Sequence, residues 1–336
     1  MSQPVPPATI EPGSSLSRRD RPWRWVVLVL VAVLLAGGLM AAGAVYTNAF
    51  GAGDRFANLM ERIDLIVDPP PDRPTAPTIL ATPRPIAKAS PEPSPEPSPS
   101  PRATPGGPGY VSAPPTARAT PTPTPTPTPE KKPVTVRVVK KPKSAFITQL
   151  TKDWCAPAGV QITLAALGLA DNTKAFQHEL VNRSREWESR RDSLNGGWGP
   201  GAIQQALKAY GAKYEIRAFK RRQEALLDAA RAMSETKAPV ILIAWRGAHT
   251  WVMSGFKATA DPLLFEDAKI TGTYIIDPWY PRVSTIWGPS DPAGTFQDAA
   301  EMRRNFLAWK RPEGRYPDRD GLWIIVAPTV PASEMG

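Results

Sequence analysis

The stretch DWCAPAG at residues 153–159 begins a predicted helix and holds the only cysteine of the chain, Cys155. Pro157 falls in the first turn, where a helix tolerates proline, and Gly168 follows the last apolar residue. We therefore predict a helix over 154–167. Backbone N–H groups without partners and the positive end of the helix dipole stabilise a thiolate at such a helix start. We interpret Cys155 as a nucleophile, and the alternative is a small buried hydrophobic residue.

The sequence from 144 to 336 predicts one globular domain of the α+β class. Helical periodicity dominates its first half and strand patterning its second half, which favours a mostly antiparallel sheet. A segment of this size suits a single hydrophobic core. The predicted helices cover 154–167, 173–191, 202–210, 223–234 and 299–310, and the predicted strands cover 214–219, 240–245, 249–257, 272–276 and 322–327.

The N-terminal region carries a candidate membrane span. Residues 25–45 contain no charged side chain, and four arginines precede them. A run of this length suffices for a helix to cross a bilayer, and basic flanking residues lie on its cytoplasmic side. We predict a cytoplasmic tail at 1–24, a single-pass signal anchor at 25–47 and an extracytoplasmic location for the remainder. A signal peptide cleaved near Ala42-Gly43-Ala44 is the alternative.

Two segments separate the span from the domain. Apolar residues at helical spacing predict a juxtamembrane amphipathic segment at 48–68. Most of the 41 prolines of the chain lie in the Pro/Thr/Ser-rich segment 69–143. Such a composition does not build a core and favours extended polyproline II structure, so we predict a disordered stalk there.

The charge of the chain constrains its partners. The formal net charge is +10 and the sequence pI is about 9.8. No basic-aromatic stripe or zinc-finger spacing predicts nucleic-acid binding. For an exported domain, anionic envelope polymers or lipid headgroups are candidate partners, and a solvated basic surface is the alternative.

Two histidines and one cysteine without ligand spacing predict no metal site or cofactor, and 318–321 is interpreted as a turn rather than a calcium loop.

One histidine and one aspartate complete a candidate catalytic set with Cys155. His249 begins a predicted strand, and the return strand ends at Asp277-Pro278. If the hairpin is symmetric about Leu263, Asp277 lies opposite His249 and fixes its tautomer. The backbone N–H of Cys155 and the side-chain amide of Gln149 are candidate donors to an oxyanion.

Four segments together resemble the peptidase C39-like family of papain-like cysteine peptidases, over about residues 145–330. That resemblance implies a papain-like fold in which the cysteine helix packs on the sheet. It implies that Cys155 is the nucleophile, His249 the general base and acid, Asp277 the orienting residue and Gln149 the oxyanion donor. The segments are Gln149, Trp154-Cys155-x-Pro157-Ala158, His249-x-Trp251-Val252-x-x-Gly255 and Tyr274-Ile275-Ile276-Asp277-Pro278.

The sequence departs from that family at Ala156, where the family commonly has glycine, and it carries no ATP-binding motif. The leading hypothesis is a membrane-anchored extracytoplasmic cysteine peptidase acting on a peptide or glycopeptide. The alternatives are a catalytically inactive binding module on a stalk and a cell-wall amidase or transferase.

Four tryptophans near these motifs are candidate walls of a substrate cleft, with core packing as the alternative: Trp154, Trp198, Trp251 and Trp279.

Overall fold

The computed structural model describes residues 21–47, 56, 59, 63, 67, 78–86, 129–193, 198–310 and 314–336. The chain divides into two compact units, Met1–Asp68 and Pro69–Gly336. In the first unit, helix α1 covers Arg21–Tyr46. Its segment Trp25–Tyr46 has a mean hydropathy of 2.7 and is long and apolar enough to cross a membrane. Most of the predicted amphipathic segment 48–68 lies outside the described residues, and the four described within it are helical.

The second unit contains the predicted α+β domain. Its helices are α2 (Pro142–Ala145), α3 (Cys155–Leu167), α4 (Lys174–Asn182), α5 (Pro200–Ala209), α6 (Arg222–Thr236) and α7 (Ala299–Asn305). Its strands are β1 (Ile79–Leu80), β2 (Val134–Arg137), β3 (Tyr214–Phe219), β4 (Val240–Ala244), β5 (His249–Ala258), β6 (Ile270–Ile276), β7 (Val283–Ser284), β8 (Gly288–Pro289), β9 (Thr295–Asp298) and β10 (Trp323–Pro328).

Among the described residues, one mostly antiparallel sheet has the order β1-β3-β10-β4-β5-β6-β9, and β2 pairs with β5 beside this path. Helices α3 and α5 cover one face of the sheet, and α6 covers the other. Because both faces are covered, the central strand β4 is apolar along its whole length, and all five of its residues are buried. The start of β5 lies beside the end of β4, where Ala244 pairs with His249.

The interpretation of 69–143 as an uninterrupted stalk is wrong at two places. Strand β1 pairs in parallel with β3, and the Ala81 N–H donates to the Ala218 carbonyl at 2.9 Å. Strand β2 pairs antiparallel with the second half of β5. A sheet edge offers unpaired backbone groups, so short extended segments satisfy it even when their sequence is rich in proline. Residues 87–128 lie outside the described part of the chain.

Two predicted helices are shorter in the structure. The helix expected over 173–191 ends at Asn182, and the helix expected over 299–310 ends at Asn305. In the second case the chain turns away to pair elsewhere: Trp309 donates to Leu322 at 2.8 Å and Lys310 donates to Arg246 at 3.1 Å through their backbone N–H groups. Tertiary hydrogen bonds therefore override a continuous helical pattern.

Candidate active site

Helix α3 places Cys155 at its first position, as the sequence predicts. Gly168 ends the helix in the left-handed conformation, with φ of 73°. One turn into the helix, a Cβ on Gly159 would lie 2.5 Å from Thr250 Cγ2, so only glycine permits this approach of α3 to β5. That close packing brings the partly exposed Cys155 to the start of β5, where its sulfur lies 3.9 Å from the Ala248 carbonyl oxygen.

His249 and Asp277 form a buried pair. The distance from His249 Nε2 to Asp277 Oδ1 is 2.7 Å, and the two residues are 3% and 5% exposed. The same Oδ1 accepts a hydrogen bond from the Trp279 backbone N–H at 2.8 Å, which fixes the carboxylate. Since Asp277 occupies Nε2, the ring nitrogen left for Cys155 is Nδ1.

The register of the hairpin differs from the prediction. Thr259 donates to the Lys269 carbonyl at 3.0 Å, so the turn is centred one residue beyond Leu263. Val252 pairs with Ile276. In this register Asp277 lies diagonally across from His249 rather than directly opposite it. A shift of two residues keeps both side chains on the same face, so the pair still forms.

The pKa of His249 reflects opposing effects. Burial lowers it, but the charge and hydrogen bond of Asp277 raise it, and so do the hydrogen bond and charge of Cys155. The net result raises the pKa from 6.5 to about 9. The imidazole is therefore protonated at neutral pH and lies beside the Cys155 side chain.

The start of α3 offers donors for an oxyanion. The first N–H groups of a helix have no acceptor within the helix. Cys155 and Ala156 supply two such groups, and Pro157 supplies none. An oxygen carrying developing negative charge beside the sulfur would meet these groups and the positive end of the helix dipole.

Gln149 is buried and lies beside this loop, but its amide is engaged. Its Nε2 donates to the carbonyls of Thr151 at 2.8 Å and Lys152 at 2.9 Å, which uses both of its N–H groups. Its backbone N–H donates to Pro278 at 2.9 Å. Gln149 thus connects the loop before Cys155 to the end of β6, and its role as an oxyanion donor stays a prediction.

The Arg282 side chain holds the same loop, which precedes Cys155, through hydrogen bonds. Its guanidinium donates to the carbonyls of Thr151 at 2.9 Å and Leu150 at 3.1 Å and lies over the Trp279 ring, 5.5 Å from its centroid. This contact is not predictable from the sequence, because it joins residues that are far apart along the chain.

The four predicted cleft tryptophans divide into two pairs. Trp154 caps α3, and Trp279 contacts the His249 ring edge-on, with centroids 6.3 Å apart. Trp251 is 3% exposed and belongs to a buried cluster, which favours the alternative of core packing. Trp198 packs on Trp187 in the helical layer, with centroids 5.4 Å apart, and has no ring contact with the site.

Sequence reasoning missed the aromatic stack on His249. Trp245 lies parallel to the imidazole, with centroids 4.0 Å apart, and Trp287 stacks on the far side of Trp245 at 5.8 Å. The Trp245 indole N–H donates to Asn305 Oδ1 at 3.1 Å. The ring is 8% exposed and shields one face of the imidazole from water.

The turn that carries Trp245 is left-handed at three consecutive residues. The φ values are 51° for Trp245, 61° for Arg246 and 93° for Gly247. A left-handed conformation costs a non-glycine residue about 1–2 kcal/mol, so two such residues in a row mark a conformation that the surrounding contacts impose. Gly247 is the single sequence signal of this turn, and a lone glycine does not specify it.

Ala156, the departure from the resembled family, does not face the thiol. It is 4% exposed and packs in the core between α3 and the sheet. Its methyl group therefore fills core volume.

No family model and no curated protein matches the chain. Among solved structures, it is similar to a double-glycine motif protease from an AMS/PCAT transporter, determined in complex with the leader peptide. The TM-score is 0.31 and the sequence identity 17%, over 57% of this chain and 97% of the other. A likeness this remote does not bear on function, which we argue from the geometry of this chain.

Proposed function

We propose that the protein is a membrane-anchored extracytoplasmic cysteine peptidase. The observation that carries this proposal is the buried His249–Asp277 pair at 2.7 Å, next to a partly exposed thiol at the first position of a helix. A nucleophile, a base and a group that orients the base are the elements that thiol hydrolysis requires. The raised pKa of His249 supports the proposal, because perturbed pKa values cluster at functional sites.

The proposed reaction starts from the thiolate–imidazolium pair. The Cys155 sulfur attacks the carbonyl carbon of a peptide bond, and the carbonyl oxygen gains negative charge against the Cys155 N–H. His249 gives its proton to the leaving nitrogen, the C–N bond breaks and a thioester remains on Cys155. His249 then takes a proton from water, the resulting hydroxide attacks the thioester, and the acid product leaves with the C–S bond broken.

The engaged amide of Gln149 favours one competing function. Without the side-chain amide of Gln149 as an oxyanion donor, a papain-like cleft binds peptides but turns them over more slowly, which is the behaviour of an inactive binding module. In the peptidase, substrate binding would have to displace one of the two loop carbonyls from the Gln149 amide. The two functions differ in turnover and not in binding.

The site can be tested with the full-length protein in detergent and a library of unstructured peptides, with products identified by mass spectrometry. The wild type is expected to cleave a subset of peptides, and the Cys155→Ala variant to bind them without cleavage. Cleavage that persists in Cys155→Ala, or tight binding without any wild-type cleavage, would contradict the peptidase. Peptidoglycan fragments tested in parallel separate a peptidase from a cell-wall amidase.

The location can be tested with the same cysteine. A membrane-impermeant maleimide applied to intact cells reaches Cys155 only if the domain is outside. Labelling that appears only after cell lysis would place the domain in the cytoplasm and contradict the predicted topology.

A further inference from the structure

A second concavity opens at the same end of the sheet as the candidate active site. It has a volume of about 390 Å³. Strand β10 begins at this end, beside the end of β4, and β4 ends beside the start of β5. The residues that line it include Arg246, Leu307, Trp309, Lys310, Asp320 and Trp323.

The left-handed turn connects this cavity to the catalytic histidine. Trp245 stacks on His249, and the next residue, Arg246, lines the cavity. Gly247 packs so closely on Trp309 that an added Cβ would lie 2.7 Å from its ring. The Arg246 carbonyl accepts a hydrogen bond from Lys310 at 3.1 Å, so the turn is tied to the wall of the cavity. A group bound at Arg246 is thus held one residue from the ring that stacks on the imidazole.

The charges in the cavity favour an anion. Within the described part of the chain, the exposed guanidinium of Arg246 has no ion-pair or hydrogen-bond partner. The opposing charge belongs to Asp320, whose Oδ2 accepts a hydrogen bond from the Gly314 backbone N–H at 2.6 Å and whose Oδ1 is buried without a hydrogen-bond partner among the described residues. Two indole rings line the same cavity, and the Trp323 N–H is already bonded to a backbone carbonyl at 3.1 Å. An apolar wall beside a free guanidinium suits a carboxylate on a short aliphatic stem.

We propose that this cavity is a specificity subsite for an acidic side chain, glutamate or aspartate, that flanks the bond to be cleaved. The proposal rests on the proposed peptidase function. Arg246 binds the carboxylate, the two indoles contact its methylene groups, and the left-handed turn transmits the position of that residue to the catalytic centre. Arg246 is a specificity residue and takes no part in bond breaking.

The test uses fluorescein-labelled peptides that differ only by Glu, Gln or Lys at one position. Binding is measured with full-length Cys155→Ala protein and cleavage with the wild type. The wild type is expected to prefer Glu over Gln by about 10- to 100-fold in kcat/KM, mainly through KM. Arg246→Gln should remove that preference, Arg246→Lys should restore part of it, and Arg246→Glu should reverse it toward Lys. Arg303→Gln, on the exposed surface of α7, is the matched control and should change nothing.

The outcomes separate the two proposals. Cleavage without a charge preference, or a preference that survives Arg246→Gln, overturns the subsite and leaves the peptidase standing. Glu-selective binding that depends on Arg246, without any cleavage, supports the subsite and overturns the peptidase. If no position gives Glu-selective binding in Cys155→Ala, the subsite is overturned.

Discussion

Replacing Asp277 with asparagine should remove the charge that keeps His249 protonated. Asparagine has the same shape, and its Oδ1 can keep the hydrogen bonds from the His249 ring and from the Trp279 backbone. The carboxylate charge is lost, and an NH2 donor replaces the acceptor Oδ2. Because burial is the strongest single influence on the pKa of His249 and lowers it, the pKa should fall from about 9 to below 6.5 in Asp277→Asn.

The magnitude follows from the size of the shift. Raising the pKa from 6.5 to about 9 corresponds to about 3 kcal/mol at about 1.4 kcal/mol per pH unit. A raised pKa means that this stabilisation is fully present below pH 6.5 and is lost as the pH rises through 9. The wild-type free energy of unfolding should therefore decline across that window relative to Asp277→Asn.

The pKa of His249 can be measured directly, because the chain has only two histidines. NMR of the imidazole carbons should show two titrations in the full-length protein, and a His178→Gln variant assigns the signal of His249. The expected midpoint for His249 is about 9 in the wild type and below 6.5 in Asp277→Asn. A wild-type midpoint near 6.5, or a variant that still titrates near 9, would refute the assigned role of Asp277.

Substitutions of three further residues test one contact of the site and two contacts of the fold. Trp245→Ala should lower the free energy of unfolding by about 3–5 kcal/mol and slow the alkylation of Cys155. Trp245→Phe should retain most of the stability and most of the alkylation rate. Equal alkylation rates in the wild type and both variants would contradict the stacking role. Asp192→Ala removes the ion-pair partner of the buried Arg319, 2.9 Å away. It should lower the free energy of unfolding in urea by about 3–5 kcal/mol, and a loss below about 1 kcal/mol would contradict the importance of this ion pair. Arg84→Ala breaks the ion pair with Glu215 and the hydrogen bond to the Pro328 carbonyl, both of which hold the segment of β1. It should lower the free energy of unfolding by about 1–3 kcal/mol and speed amide hydrogen exchange in β1. Unchanged exchange would contradict this role of Arg84.

The fold was predictable where local signals act alone. The helix that begins at Cys155 and ends at Gly168 follows from a proline in its first turn and a glycine after its last residue. The strand 214–219 alternates strongly enough to be assigned within its true bounds. The pairing of His249 with Asp277 followed from the period of a β-strand, which tolerates a register error of two residues.

The remaining features depend on contacts between distant segments. Strand β1 forms because β3 presents an open edge, although the segment around β1 is rich in proline. Asp192 accepts hydrogen bonds from Gly201 and Ala202 at 2.9 and 2.8 Å and thereby caps α5, yet it follows a run of charged residues that favours a solvated surface. The stack of Trp245 on His249 requires three left-handed residues, which no local pattern specifies.

The rate at which iodoacetamide alkylates Cys155 at pH 6 tests the central claim most directly, because the chain has no other thiol. An ordinary thiol has a pKa of about 8.5 and reacts slowly at that pH. We expect fast alkylation in the wild type and a reduction of about 100-fold in His249→Ala, where no imidazolium stabilises the thiolate. Slow alkylation in the wild type, or an equal rate in His249→Ala, would contradict the assignment of Cys155 as an activated nucleophile.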